Sequence, residues 1–140
     1  MSEQLDAAIR KRAKVMMRRR FRAQRQALSE KAAQLRSLAL CNRLLSLEVI
    51  RTAINIALFW PMQQHREVDL RGLHHALALR HCALWYPRVI AKNRELHFHR
   101  VDDSEALVKG PFGTLEPPAD APRATAIDVV IVPGLVFDAQ

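Results

Sequence analysis

The chain has 140 residues, of which 49% are hydrophobic and 26% are charged, a balance typical of one soluble globular domain over residues 1–140. It has neither an apolar run near the roughly 20 residues that a membrane span requires nor a secretory signal, so we expect a cytoplasmic protein. The formal net charge of +8 is concentrated before Thr52 and favours an anionic partner: nucleic acid, a nucleoside triphosphate or a polyglutamylated cofactor.

The first predicted element is a helix from Leu5 to Leu28. Its apolar residues recur every four positions, which predicts a stripe buried against the domain. Most residues of a second, basic stripe follow a residue of the apolar stripe by one position, so the basic stripe lies along the edge of the apolar face of the helix. A solvated basic face is one interpretation of it; the other is that Lys14 and Arg18 lay their stems on the domain and offer their charges to a bound phosphate. The apolar stripe comprises Ile9, Ala13, Met17 and Phe21, and the basic stripe Lys14, Arg18, Arg22 and Arg25.

A second helix is predicted to begin after the N-cap residue Ser29 and to end near Leu47. Four leucines of this helix are expected to face the core. They are Leu35, Leu38, Leu44 and Leu45.

A strand–loop–helix unit follows. The apolar segment from Thr52 to Trp60 predicts the first central strand, which Pro61 ends. Glu67-Val68-Asp69 then leads into a helix whose leucines face inward, and the sequence thereby alternates strand and helix as α/β folds do.

The later strands are shorter. Cys82 to Tyr86 predicts a strand that ends at Pro87, and Leu96 to Val101 predicts a half-exposed one. Ile127 to Val132 is almost wholly apolar and β-branched, which predicts a strand buried on both faces in the middle of a mostly parallel sheet. Ligands of such sheets collect at the carboxyl ends of the strands, here the loop from Pro133 to Asp138.

Several short motifs in this order carry a resemblance to a known family. None of them is specific alone, but together they span nearly the whole chain. They are Lys14-Val15-Met16-Met17-Arg18, Arg25-Gln26-Ala27-Leu28-Ser29, Phe59-Trp60-Pro61, Glu67-Val68-Asp69, Phe112-Gly113-Thr114-Leu115-Glu116-Pro117 and the segment from Ile127 to Asp138. In these motifs the sequence resembles the 5-formyltetrahydrofolate cyclo-ligases, also called methenyltetrahydrofolate synthetases.

The resemblance implies a three-layer α/β/α sandwich with a mostly parallel central sheet. It also implies an enzyme that uses ATP and Mg²⁺ to convert 5-formyltetrahydrofolate, with or without a polyglutamate tail, into 5,10-methenyltetrahydrofolate. In that reaction the formyl oxygen takes the γ-phosphoryl group, a folate nitrogen closes the ring, and phosphate leaves. The protein then acts chiefly by positioning and by charge neutralisation.

Four residues match binding positions of the family. Lys14 and Arg18 match residues that contact the ATP phosphates, and Glu67 matches the acid that hydrogen-bonds the donor edge of the pterin. Trp60 matches an aromatic position of the pterin site, with Met62 as the alternative because the loop before Glu67 is longer than in the family. No residue is assigned as catalytic or as a metal ligand.

The sequence departs from the family after Phe137-Asp138, where the family continues with a glycine-rich phosphate loop and a magnesium-binding acid that this sequence lacks. We therefore expect a fold that is incomplete at its C-terminus, impaired activity, an exposed apolar flank and self-association, although the family is typically monomeric. Two alternatives stay open: a basic nucleic-acid-binding module, and a folate-binding remnant without catalysis.

Overall fold

Four helices and a central sheet make up the part of the chain that the computed structural model describes, residues 2–137. The helices are α1 (Ser2–Gln26), α2 (Glu30–Ser46), α3 (Glu48–Thr52) and α4 (Arg71–Leu79). The strands are β1 (Asn55–Ala57), β2 (Ala83–Ile90), β3 (Glu95–Arg100), β4 (Val108–Lys109), β5 (Leu115–Glu116) and β6 (Val129–Val130). None of the helices described is long and apolar enough to cross a membrane.

The central sheet has the strand order β3-β2-β1-β6. β1 pairs in parallel with both β2 and β6, whereas β2 and β3 form an antiparallel hairpin. The predicted α/β class with a mostly parallel sheet is thus confirmed. The prediction that Pro87 ends the second strand is wrong, since β2 continues to Ile90 and Pro87 lies opposite Phe98.

The two faces of the sheet are covered differently. The helical face buries a core to which α2, α3 and α4 contribute Cys41, Ile50 and Leu77, packed against strand residues such as Ile56. The smaller core on the other face gathers Ala57, Ala83, Trp85 and Phe98 with Ala124 and Ile127 of the irregular segment before β6. Within residues 2–137, no helical residue belongs to that second core. Both cysteines, Cys41 and Cys82, are buried free thiols.

Helix α1 is exposed along most of its length. Ile9 and Met17 of the predicted buried stripe are 57% and 49% exposed, so that prediction is wrong, and only Phe21 is half-buried. The α1 end is fastened to the loop after β1, where Gln26 Nε2 donates to the carbonyl of Gln64 at 3.1 Å. Sequence periodicity identifies the residues that share a face, but it does not say whether another element covers that face.

Helix α2 begins as predicted, with Ser29 Oγ accepting a hydrogen bond from the amide of Ala32 at 3.2 Å. Leu44 and Leu45 pack on the core, but Leu35 and Leu38 are each 58% exposed, against the prediction. The buried face of α2 is instead formed by the smaller residues Ser37 and Cys41.

The last strand lies at the edge of the described sheet rather than in its middle. β6 pairs only with β1 and is reduced to Val129 and Val130. Val130 and Val132 point to an open side and are 47% and 72% exposed, so the prediction of a strand buried on both faces is wrong. An apolar strand edge of this kind is able to pair with another strand.

Asp128 holds β6 in register with β1. Its Oδ2 accepts hydrogen bonds from the amides of Ile54 at 2.9 Å and Asn55 at 2.7 Å, and these two bonds lower the pKa of the carboxyl. A group whose pKa is lower in the folded state than in the unfolded state stabilises the fold above its unfolded pKa. That stability is lost as the pH falls through the folded value.

We therefore expect Asp128→Asn to flatten the acid side of the stability profile, because asparagine has no charge to lose. The free energy of unfolding of the wild type should fall more steeply than that of the variant between about pH 5 and about pH 2. Urea unfolding at a series of pH values measures both curves. Parallel curves would show that the two hydrogen bonds do not depend on the carboxylate charge.

Candidate functional site

A cleft of about 680 Å³ opens where the parallel strands β1 and β6 end. This is the position at which sheets of this type bind ligands, because the carboxyl ends of the strands and the loops that follow them meet there. Four parts of the chain line it: the second half of α1, the middle of α2, the segment between β1 and α4, and the segment after β6. Their apolar contributions include Phe21, Leu40, Phe59, Val68 and Leu135.

The charged side chains of this cleft are almost all positive. Among the described residues that line it, there are five arginines and one acid, Glu67. Such an excess of guanidinium groups in a concave site favours a polyanion, and the planar fork of arginine suits phosphate and carboxylate groups. The arginines are Arg18, Arg22, Arg25, Arg36 and Arg66.

Glu67 is held in place by the loop that precedes it. The amide of Met62 donates to Glu67 Oε2 at 2.9 Å, which fixes the carboxylate plane. The other oxygen, Oε1, lies 4.0 Å from Arg25 Nη2, which is an ion pair but is too long for a hydrogen bond. The side chains of Glu67 and Arg25 are 23% and 26% exposed, so both are partly open to the cleft.

The segment that carries Glu67 is tied to helix α2. The amide of Asp69 donates to Ser37 Oγ at 3.0 Å, and the Cys41 thiol donates to the Asp69 carbonyl at 3.5 Å. Burial raises the pKa of that thiol, which keeps it in the protonated form that donates. Hydrogen bonds from Arg71 lower the pKa of the Asp69 carboxyl, which stays charged. The acid of the cleft therefore sits on a braced segment rather than on a free loop.

Arg66 reaches the cleft through an unusual backbone conformation. It follows a short 3₁₀ helix, Gln63–His65, and has a φ of 48°, in the left-handed region that few residues other than glycine adopt. This turn reverses the chain just before Glu67, so that neighbouring residues of opposite charge both line the cleft.

Trp60 is placed beside the cleft rather than in its lining. Its ring packs edge-on against His74 at 6.1 Å and Tyr86 at 5.9 Å between ring centroids, and His74 Nδ1 lies 2.8 Å from the Tyr86 hydroxyl. Burial lowers the pKa of His74 and raises that of Tyr86, so both are neutral partners. The aromatic residues that do line the cleft are Phe21, Phe59 and Phe137, of which Phe59 directly precedes Trp60 in the family motif.

The two cationic residues predicted for phosphate binding are separated by the structure. Arg18 lines the same cleft as Glu67. Lys14 does not line it, but lies one helical turn earlier on exposed α1, in a shallow hollow with Arg10 and Lys11. The predicted ligand loop is partly described: its first residues line the cleft, whereas Asp138 lies outside residues 2–137. Within it, Gly134 has no side chain to collide with the ring of Phe137 folded over it.

Sequence comparison decides the family of the chain. Residues 10–140 match the model of the 5-formyltetrahydrofolate cyclo-ligase family. The chain belongs to this family. No curated protein matches the chain.

Solved structures of cyclo-ligase relatives share the fold. The NMR structure of 5,10-methenyltetrahydrofolate synthetase from Aquifex aeolicus is 28% identical, with a TM-score of 0.75 over 89% of this chain and 62% of its own. The 5,10-methenyltetrahydrofolate synthetase of Mycoplasma pneumoniae is 22% identical, with a TM-score of 0.55 over 65% of this chain and 55% of its own, and shows likeness of fold alone. The chain thus spans about three fifths of the length of these relatives.

The family implies ATP and Mg²⁺, and the described residues of this chain fit these two groups unequally. Five arginines in one cleft suit the phosphates of ATP. Among residues 2–137 there is no group of three His, Cys, Asp or Glu side chains that would hold a metal, so these residues do not form a protein cage for Mg²⁺.

Proposed function

We propose that residues 1–140 form one cyclo-ligase-like domain whose cleft binds 5-formyltetrahydrofolate beside the phosphates of ATP. The single observation that carries this proposal is that Arg18 and Glu67, which lie far apart in the sequence, line the same cleft at the strand ends. Membership of the family and the fold shared with the Aquifex aeolicus synthetase support it.

The folate half of the proposal rests on Glu67 and Phe59. A carboxylate fixed by the Met62 amide offers an oriented acceptor for the donor edge of a pterin, and Phe59 offers an apolar surface for the flat ring. Trp60 would act from behind, by keeping the end of β1 in place. Excess arginine also suits a glutamate tail, whether single or polyglutamylated.

The nucleotide half rests on the arginines of α1 and α2. ATP supplies the phosphoryl group that activates the formyl oxygen, and Mg²⁺ is proposed with it from the family alone. Arg18, Arg22 and Arg36 line the cleft and would neutralise the phosphates, and the cleft walls would hold the folate nitrogen close to the activated carbon. Lys14 would assist from one turn away by raising the local potential.

We propose a low turnover for the 140-residue polypeptide. Its sequence has four glycines in all and no glycine-rich loop whose amides would cradle the triphosphate. The arginines would bind ATP but would not align it as such a loop does. In the extreme case the turnover is zero, and the polypeptide is a folate-binding protein without catalysis.

A nucleic-acid-binding module is the second candidate, favoured by the exposure of α1. Arg12, Arg19 and Arg20 are exposed on that helix and lie outside the cleft. Binding to a nucleic acid through this helix would be steeply weakened by salt and would leave the folate site unaffected.

Calorimetric titration of 5-formyltetrahydrofolate and ATP, each alone, tests the proposed function. We expect both to bind, and the methenyl product to form slowly when both are present. No binding of 5-formyltetrahydrofolate would refute the proposal. Binding of RNA or duplex DNA that falls steeply with salt, without either small ligand, would establish the alternative.

Arg18→Gln should weaken ATP binding by roughly three- to tenfold, the scale expected for one exposed charge pair, and leave folate affinity unchanged. Arg12→Gln is the matched control, since it removes the same charge from the same helix outside the cleft. Titration of ATP into the three proteins measures the effect. Equal ATP affinities for both variants would mean that α1 acts only through its overall charge.

A further inference from the structure

We propose that Arg25 is a specificity-determining residue of the cleft, and that Arg25 and Glu67 together read an amide-like edge of the ligand, an N–H group beside a carbonyl. The proposal rests on the proposed function, because it takes the ligand beside Glu67 to be a pterin. It adds to that function the residue that recognises the pterin carbonyl.

The geometry leaves one acceptor and one donor facing the same space. Glu67 Oε2 is occupied by the Met62 amide, so Oε1 remains as the acceptor. Arg25 Nη2 lies 4.0 Å from Oε1, beyond hydrogen-bonding distance, so neither group satisfies the other. Both side chains are about one quarter exposed and line the cleft, which leaves them within reach of a ligand.

The Arg25 guanidinium has not found a hydrogen-bonding partner within the described part of the chain. Its Nε is buried and makes no hydrogen bond to any residue between 2 and 137. Buried donors are almost always paired in folded proteins, since an unpaired one is costly. The described residues around it therefore offer no acceptor to the Arg25 Nε, and since that atom is shielded from the cleft, a bound ligand would accept from the Nη groups instead.

A pterin with a 4-oxo group matches this pair. Its ring N–H and its amino group donate towards Glu67 Oε1, and the neighbouring carbonyl accepts from Arg25. A 4-amino group in place of the carbonyl would set N–H donors against the guanidinium, and the adjacent ring nitrogen would lose the hydrogen that it donates to Glu67. A binding site whose polar groups hydrogen-bond a particular ligand group rejects an analogue that leaves those polar groups of the site unpaired.

The test compares 5-formyltetrahydrofolate with its 4-amino-4-deoxy analogue, titrated into the full chain at mildly alkaline pH, where neither ring is protonated. We expect the wild type to prefer the 4-oxo ligand by about tenfold or more. Arg25→Met should lower the ratio of the two affinities severalfold without abolishing it, because the analogue also lacks the ring N–H that donates to Glu67. Arg36→Met, which removes a cleft arginine that is not paired with Glu67, should keep the wild-type ratio.

A wild-type ratio retained in Arg25→Met would overturn this inference and leave the proposed function standing. The same holds for a wild type without preference that still binds 5-formyltetrahydrofolate. Failure of the wild type to bind 5-formyltetrahydrofolate would overturn the proposed function and this inference with it. Thermal unfolding of each variant, monitored by circular dichroism, verifies that the ratios are measured on folded protein.

Discussion

Glu67→Gln is expected to weaken the binding of 5-formyltetrahydrofolate by roughly 10- to 100-fold, the range of a hydrogen bond to a charged group. Glutamine is able to keep the bond from the Met62 amide through its remaining oxygen, so the loop should retain its conformation. The change replaces the acceptor Oε1 by a donor and removes the only carboxylate that lines the cleft among residues 2–137. ATP affinity should be unchanged or slightly higher, because the cleft becomes more positive.

The matched control for this substitution is Glu48→Gln. Glu48 is 76% exposed, pairs only with Arg51 one turn along α3, and lies away from the cleft. We expect it to bind 5-formyltetrahydrofolate as the wild type does. Titration calorimetry on the three proteins gives the comparison, and a loss of affinity no larger for Glu67→Gln than for Glu48→Gln would exclude Glu67 from the folate site.

Leu77→Ala is expected to destabilise the fold by about 2–5 kcal/mol, a large part of the roughly 5–15 kcal/mol by which proteins of this size are stable. Leu77 is fully buried on the inner face of α4, in the core between that helix and the sheet. Removal of its branched end leaves a cavity that the rigid sheet is unable to close.

Leu79→Ala provides the comparison within the same helix. Leu79 is 70% exposed, so the same chemical change should cost well under 1 kcal/mol there. Urea unfolding at constant pH yields both values. Similar losses for the two variants would mean that α4 is not packed against the sheet as the structure has it.

The parts of the fold that the sequence predicted are those in which burial and local pattern agree. The α4 leucines and the apolar β1 segment are examples. The pattern of each predicts a buried face, and in the structure that face is covered by the other. The Ser29 cap was predicted because one hydroxyl satisfies a backbone amide locally. The prediction that Pro87 ends the second strand failed because a strand tolerates a proline at a position where the neighbouring strand does not need a backbone N–H donor.

The failures concern which faces are covered. The apolar side of α1 and the outer valines of β6 have the composition of buried residues, but exposure depends on elements elsewhere in the chain. Among the cleft residues, the family motifs pointed to Arg18 and Glu67. Arg25, Arg36 and Arg66 were missed as cleft residues because α1, α2 and a left-handed turn bring them together only in three dimensions.

The pairing of β1 with β6 bears on how the chain folds during synthesis. Asn55 and Asp128, which are joined by a hydrogen bond, are separated by 73 positions. The ribosome therefore releases β1 long before its outer neighbour exists, and the parallel pair of β1 and β2 must wait with one side of β1 open. Completion of the sheet is then a late event in folding, and a chaperone that shields the waiting strand would raise the yield of native protein.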